Sequence, residues 1–326
     1  MDKNESTILK GVAILFMLFL HLFNQMSNVE LCHNFLYIGE TPLVHILSRA
    51  TNPVDFFIIL SGYGLYTVRI RGNYNVIKKL WNLYKHYWIT LLIFVPLGAY
   101  IVGTHKYPGS PINIINNITA WNTSYNGEIW FMFPYCLLAL SSKTIFWIMS
   151  KLSPIIYFAI TLLIYFCCGY CISRYGASYL YTHKLAYMPI LYLELLFSFS
   201  MGAYMANYDI VRKFDRIKDW RIGGVLLIII VLARCLIESG AFHPIYAAVF
   251  IILFVNTTRP VFIDNTLMEF GKRSTSMWFI HTYFCYYLFH DEIYAFKYPI
   301  IIYFVLISIS YAMAVVIDYL VKVVNK

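Results

Sequence analysis

Ten apolar stretches that read as candidate crossings of the roughly 30 Å hydrocarbon core of a bilayer recur along this 326-residue sequence and constrain its fold more than any other feature. They cover about residues 8–24, 53–69, 87–104, 129–149, 154–172, 185–207, 222–239, 243–257, 276–290 and 298–320. Hydrophobic residues make up 60% of the chain and charged residues only 13%, and the mean hydropathy is +0.65, which excludes an ordinary soluble domain. The expected fold is all-α, a polytopic membrane helix bundle of about ten transmembrane helices. No composition break, linker or repeat divides it, so residues 1–326 read as one membrane domain.

Basic residues test this topology, because they concentrate in cytoplasmic loops and a wrong span count would scramble their alternation. With a cytoplasmic N-terminus, 19 of the 25 Lys and Arg residues fall inside, from Lys3 and Lys10 to Lys322 and Lys326. Five fall outside (Arg49, Lys106, Arg174, Lys184 and Lys297), and Arg234 lies within a span. Both N- and C-termini are therefore expected in the cytoplasm. The net charge of +9 follows from this asymmetry and from contact with anionic membrane lipids, and no nucleic-acid site is indicated. The stretch Asn24 to Glu30 lacks a small-residue cleavage pattern, so the first apolar segment reads as a retained helix rather than a signal peptide. The seven cysteines show neither a disulfide framework nor metal-ligand spacing, and no metal is expected.

Within the spans, ionisable residues are the features to explain, since each is costly in hydrocarbon and marks a functional path by default. Lys10 and His21 stand out. Eleven residues of helix bring them back to within about 20° of the same face and separate them by roughly 16 Å, so a cation near the surface and a base deep in the bilayer line one path. Asp55-Phe-Phe-Ile-Ile-Leu-Ser61-Gly62-Tyr63-Gly64 opens the second span, where Gly62 and Gly64 allow close approach of a helix or a thin ligand. Arg234 and Glu238, one turn apart, are expected to pair. Glu194 has no evident partner, and His281 reads first as a hydrogen-bonded packing residue. Pro96 and Pro134 could bend the third and fourth spans.

Two connections carry further signals. Arg69, Arg71, Lys78, Lys79 and Lys85 place five positive charges without an acid in one short loop, which suits lipid headgroups or a polyanionic ligand such as a nucleotide cofactor. Residues 105–128 are rich in Pro, Gly and Asn and read as an outside connector, which either is simply solvated or covers an outward cavity and presents Asn and Tyr to a hydroxyl-rich ligand.

Five elements appear in register: Lys10-Gly11 through His21; Asp-Phe-Phe-x-x-x-Ser-Gly at 55–62; Lys78-Lys79 followed by Tyr84-x-x-Tyr87-Trp88; Glu128-x-Trp130-Phe131; and Gly271-Lys-x-Ser-x-x-x-Trp-x-Ile-His281. Together the chain resembles the acyltransferase family three of integral membrane proteins, from the first helix to the ninth. The resemblance implies transfer of an acyl group, usually acetyl from cytoplasmic acetyl-CoA, to hydroxyls of cell-surface glycans or lipid-linked sugars, in the plasma membrane of a bacterium. It implies His21 as the catalytic base and places Lys10, Arg69, Arg71, Lys78 and Lys79 around the CoA phosphates, with the acceptor approaching from outside. Lys10 stands where the family usually has arginine, and Lys78, Lys79 and Asn82 replace an arginine-rich motif; lysine keeps the charge but loses the bidentate fork. The residues alone leave two other classes open: a glycan or lipid-intermediate transporter or flippase, with the 61 aromatic residues serving sugar stacking, and an inactive descendant acting as a scaffold.

Overall fold

A computed structural model describes residues 1–72 and 74–325; Lys326, counted above among the inside charges, lies outside them. The chain is 78% helical, with fourteen α-helices among the described residues. Helices occur at all ten apolar stretches: α1 Lys3–Phe23, α4 Val54–Ile70, α5 Val76–Ile101, α7 Met132–Lys151, α8 Pro154–Tyr175, α9 Lys184–Asn207, α10 Trp220–Cys235, α11 His243–Asn256, α12 Val261–Thr282 and α14 Pro299–Val324. Short helices α2 Met26–Val29, α3 Leu43–Ser48, α6 Pro111–Ile118 and α13 His290–Tyr294 sit in the connections, with a two-residue hairpin pairing Tyr37–Ile38 and Thr41–Pro42. Five stretches are long and apolar enough to cross a membrane by length and composition: Lys3–Phe23, Gly127–Lys151, Pro154–Leu180, Lys184–Asn207 and Pro299–Val324. The bundle is a membrane fold. The basic loops, together with the first residues of α1 and the last of α14, gather at what we call its basic end.

Local sequence sets several boundaries. Asp2 and Glu5 form a reciprocal cap on α1: the Glu5 N–H donates to Asp2 Oδ1 at 2.8 Å and the Asp2 N–H to Glu5 Oε2 at 2.6 Å. Ser110-Pro111 and Ser153-Pro154 open α6 and α8, with the serine accepting from the first turn and the proline occupying a position that needs no N–H. Pro96 lies inside α5, whereas Pro134 falls in the first turn of α7, where it costs no hydrogen bond.

Two glycine-bridged crossings fix the bundle. A Cβ on Gly11 would lie 1.9 Å from the Leu267 carbonyl oxygen and one on Gly271 1.8 Å from that of Thr7, so α1 and α12 touch backbone to backbone. Gly62 and Gly202 do the same for α4 and α9, against the carbonyls of Phe199 at 2.0 Å and Ile59 at 1.9 Å. In lipid, where helix association depends on close packing rather than on expelling water, such contacts are the main device available. Gly64 differs from expectation: nothing lies within 4 Å of its missing side chain, so it serves no crossing.

The structure changes the sequence picture in two places. The ninth segment starts about a turn after the middle of α12, which begins at Val261; hydropathy concealed its first half because Glu269 pairs with Lys272 and Arg273, and Asp264 with Arg259. The helix then continues as a π-helical turn, Tyr283–Leu288. More consequentially, residues 105–128 fold back along the flank of α5 instead of forming a free connector. The carbonyls of Asn117, Ile118 and Thr119 accept from Tyr87 Oη at 2.8 Å, Trp88 Nε1 at 2.9 Å and Tyr84 Oη at 2.9 Å. Trp88 is thirteen residues before the end of α5, about 20 Å along its axis, so the end of α6 lies far down the flank of α5, with Ile112, Ile115 and Ile118 still exposed. Non-helical backbone at that depth needs every polar group satisfied by protein. Those three aromatic donors do this for the end of α6, while fully buried Asn117 holds the return strand by accepting from the Tyr125 N–H at 3.0 Å and donating to Ser124 Oγ at 2.9 Å.

Candidate active site

The α1–α12 crossing brings His21 beside His281, with ring centroids 5.0 Å apart. His21 retains 14% side-chain exposure, whereas His281 is wholly buried. The Nδ1 of His281 faces two carbonyl oxygens, Met277 at 3.1 Å and Trp278 at 2.9 Å, and therefore carries the ring proton. Its Nε2 is left as a lone pair without a protein partner. Tyr286, displaced toward α1 by the π-helical turn, places its hydroxyl 3.4 Å from His21 Nδ1. Glu128 approaches the same nitrogen, with Oε2 at 3.8 Å.

Glu128 arrives there through the re-entrant segment. Asn126 pins it to α12, donating to the Phe279 carbonyl at 3.1 Å and accepting from Thr282 Oγ1 at 2.8 Å, while the Gly127 N–H donates to Tyr287 Oη at 2.9 Å. A carboxylate held beside a base stabilises the cation formed when that base takes a proton. Glu128 was visible in sequence only as part of the Glu-x-Trp-Phe motif and carried no assigned role; Tyr286 gave no signal, because its position depends on the π-helical turn.

Between this cluster and the basic end lies a cavity of about 200 Å³. Lys10, Lys79, Asn82, Ser61, Ser274 and Thr275 supply its polar wall, and Phe57, Ile58, Phe131, Tyr135 and Trp278 are among its apolar lining. Of the five basic residues assigned to the CoA phosphates, Lys10 and Lys79 thus meet in one hollow. Arg69 instead lies over the Phe146 ring at 5.7 Å, and exposed Arg71 and Lys78 do not line the cavity. Asn82 also borders a neighbouring cavity of about 640 Å³ that adds His86, Lys272, Arg273 and Lys322. Trp278 joins the two regions: it walls the first cavity and stacks on Phe131 at 4.2 Å. Its carbonyl accepts from His281, and its indole N–H approaches the Glu128 carbonyl at 3.4 Å.

The expected Arg234–Glu238 pair does not form. Glu238 pairs with Arg49 at 3.2 Å, while Arg234, 3% exposed, donates to the carbonyls of Ile237 and Ser239 and to His243 Nε2. The turn after α10 folds those acceptors back over the guanidinium, and in a buried site multiple fixed acceptors displace a mobile surface carboxylate.

The fold and site define a helical membrane protein with a buried imidazole–carboxylate cluster above a cationic hollow. The model of the acyltransferase domain, family three, matches residues 4–319, and the chain belongs to that family; it is a membrane acyltransferase. No curated protein and no solved structure matches it.

Substitution of Glu128 by glutamine is expected to lower turnover by about 10- to 100-fold, with the donor KM unchanged, because the neutral amide keeps shape and loses the charge that would stabilise a protonated His21. Steady-state kinetics of purified protein would measure this. Unchanged turnover would remove Glu128 from the site.

Proposed function

We propose that the protein transfers an acyl group, acetyl in the simplest case, from acyl-CoA at the basic end to a hydroxyl of a glycan or lipid-linked sugar reaching His21 from the opposite end. One observation carries this reading: a single residue, Trp278, is common to the wall of the lysine-bearing cavity and to the hydrogen-bonded frame of the His21 cluster. A hollow that attracts phosphate and a base positioned to activate a hydroxyl are thereby adjoined.

The reaction assigns work to each group. His21 takes the acceptor hydroxyl proton as the oxygen attacks the thioester carbonyl carbon. Collapse of the tetrahedral intermediate breaks the C–S bond, and the imidazolium returns the proton to the departing thiolate. Glu128 balances the imidazolium while it exists. Lys10 and Lys79 neutralise phosphate, and the apolar wall of Phe57, Ile58 and Phe131 accommodates the thin arm that bridges the roughly 16 Å from Lys10 to His21.

Radiolabelled acetyl-CoA given to purified protein with candidate glycans tests the reading. Label should pass to the glycan and fail to do so with His21→Ala, whereas glycan movement across a vesicle, indifferent to acetyl-CoA, would overturn it in favour of transport. Lys10→Ala should raise the donor KM by about tenfold, and Lys10→Arg should preserve or lower it, since arginine adds a second parallel hydrogen bond to phosphate. If both variants leave the donor KM at its original value, Lys10 has no phosphate role.

A further inference from the structure

A third cavity, of about 560 Å³, opens at the end of the bundle opposite the basic loops and lies within the size range of small-ligand sites. Asp55 at the start of α4, Glu194 on α9, Trp130 just before α7, Tyr165 and Tyr170 on α8, and His243 at the start of α11 line it. Trp130 lies two residues along the chain from Glu128, so one wall residue of the cavity belongs to the segment that carries Glu128 to His21.

The lining has a definite hydrogen-bonding character. Asp55 accepts from Ser198 Oγ at 2.6 Å through Oδ1, leaving Oδ2 to the cavity, and the Glu194 carboxylate makes no hydrogen bond among the described residues. Both side chains are only half-buried, so these acceptors face open space rather than packed protein. His243 differs. It is 8% exposed, and because its Nε2 accepts from Arg234 Nη2 at 2.7 Å, its Nδ1 carries the proton and finds no protein acceptor. The neighbouring guanidinium is committed to backbone carbonyls and to His243 and is absent from the cavity wall.

Carboxylate acceptors, hydroxyl and ring N–H donors and aromatic faces together select a ligand rich in O–H groups with apolar ring faces. Two carboxylates with no free counter-cation in the wall disfavour a negatively charged ligand, since like charges brought together in a partly desolvated site repel. We propose that this cavity is the acceptor subsite and that it takes an uncharged saccharide, through Asp55 and Glu194 as hydroxyl acceptors and Trp130 as a stacking face, and rejects saccharides bearing a carboxylate. The proposal rests on the acyltransfer reading for its word acceptor, but saccharide binding and charge selection are properties of the cavity alone.

The test therefore uses the His21→Ala protein without any acyl donor, so that its outcome is independent of turnover. Binding of maltotriose and of a galacturonic acid trimer is compared by saturation-transfer NMR and calorimetry at pH 8 in detergent. Maltotriose should bind at least about tenfold more tightly than the acidic trimer. Asp55→Asn and Glu194→Gln, which keep shape and, at Asp55, the acceptor for Ser198, should each weaken maltotriose and narrow the discrimination; Trp130→Ala should abolish maltotriose binding. Equal or tighter binding of the acidic trimer, indifference of both ligands to the carboxylate substitutions, or failure of maltotriose to bind the folded protein would each overturn the proposal. Transfer from labelled acetyl-CoA to an acidic glycan by the unsubstituted protein would leave acyltransfer standing and refute this account of its acceptor.

Discussion

Replacing His21 by alanine is expected to reduce acyl transfer by about 10²- to 10⁴-fold, the range a positioned general base contributes. A sugar hydroxyl is a poor nucleophile at neutral pH, and the neighbouring imidazole of His281 does not substitute for His21. The free nitrogen of His281 is an acceptor, but its ring is wholly buried and locked by the Met277 and Trp278 carbonyls, so it cannot swing to a hydroxyl positioned for His21. Donor binding should survive the change, because the Lys10 and Lys79 cavity does not include residue 21. The combination is diagnostic: turnover falls, while retention of acetyl-CoA, followed by equilibrium dialysis, does not. Turnover within about threefold of the unsubstituted protein would dismiss His21 as the base.

The largest structural effect is expected at Gly271. Valine there would drive its Cβ into the Thr7 backbone carbonyl, and neither partner can yield as a flexible side chain does, since both belong to helices held by their own hydrogen bonds. Ordinary overpacking costs about 1–3 kcal/mol; forcing two helix backbones apart also opens the adjoining packing along α1 and α12, so loss of folded protein is the expected outcome. Gly64→Val is the matched control, with the same residue change in a bundle helix but open space around the new side chain. Size-exclusion profiles and thermal unfolding in detergent should separate them, Gly64→Val remaining monodisperse and Gly271→Val aggregating. A Gly271→Val protein with unaltered melting temperature would show that α1 and α12 do not cross there, and the approach of His21 to His281 would lose its structural cause.

Much of this molecule was legible along the chain. Long apolar runs demand helices, and the eleven-residue interval from Lys10 to His21 is a property of one helix, so both could be read without knowing any neighbour. Gly62 was likewise recognisable as a point of close approach, whereas Gly64, alike in sequence, proved idle, because the helix opposite it is what distinguishes them. Arg234 and Glu238 failed as a pair for a related reason: spacing made the contact available, but a folded-back turn and Arg49 offered each residue a better partner.

The sequence by itself determined the helical membrane fold and the presence of a base within it, because the bilayer imposes its requirement on each segment separately. Only the tertiary structure decided what surrounds that base. Glu128 reaches His21 because residues 105–128 turn back along α5, the end of α6 held there by side chains of that helix, and His281 and Tyr286 reach it because two glycines let α1 and α12 touch. Hydropathy records the average solvent of a segment, whereas these contacts depend on where distant helices cross, a quantity that no local window contains.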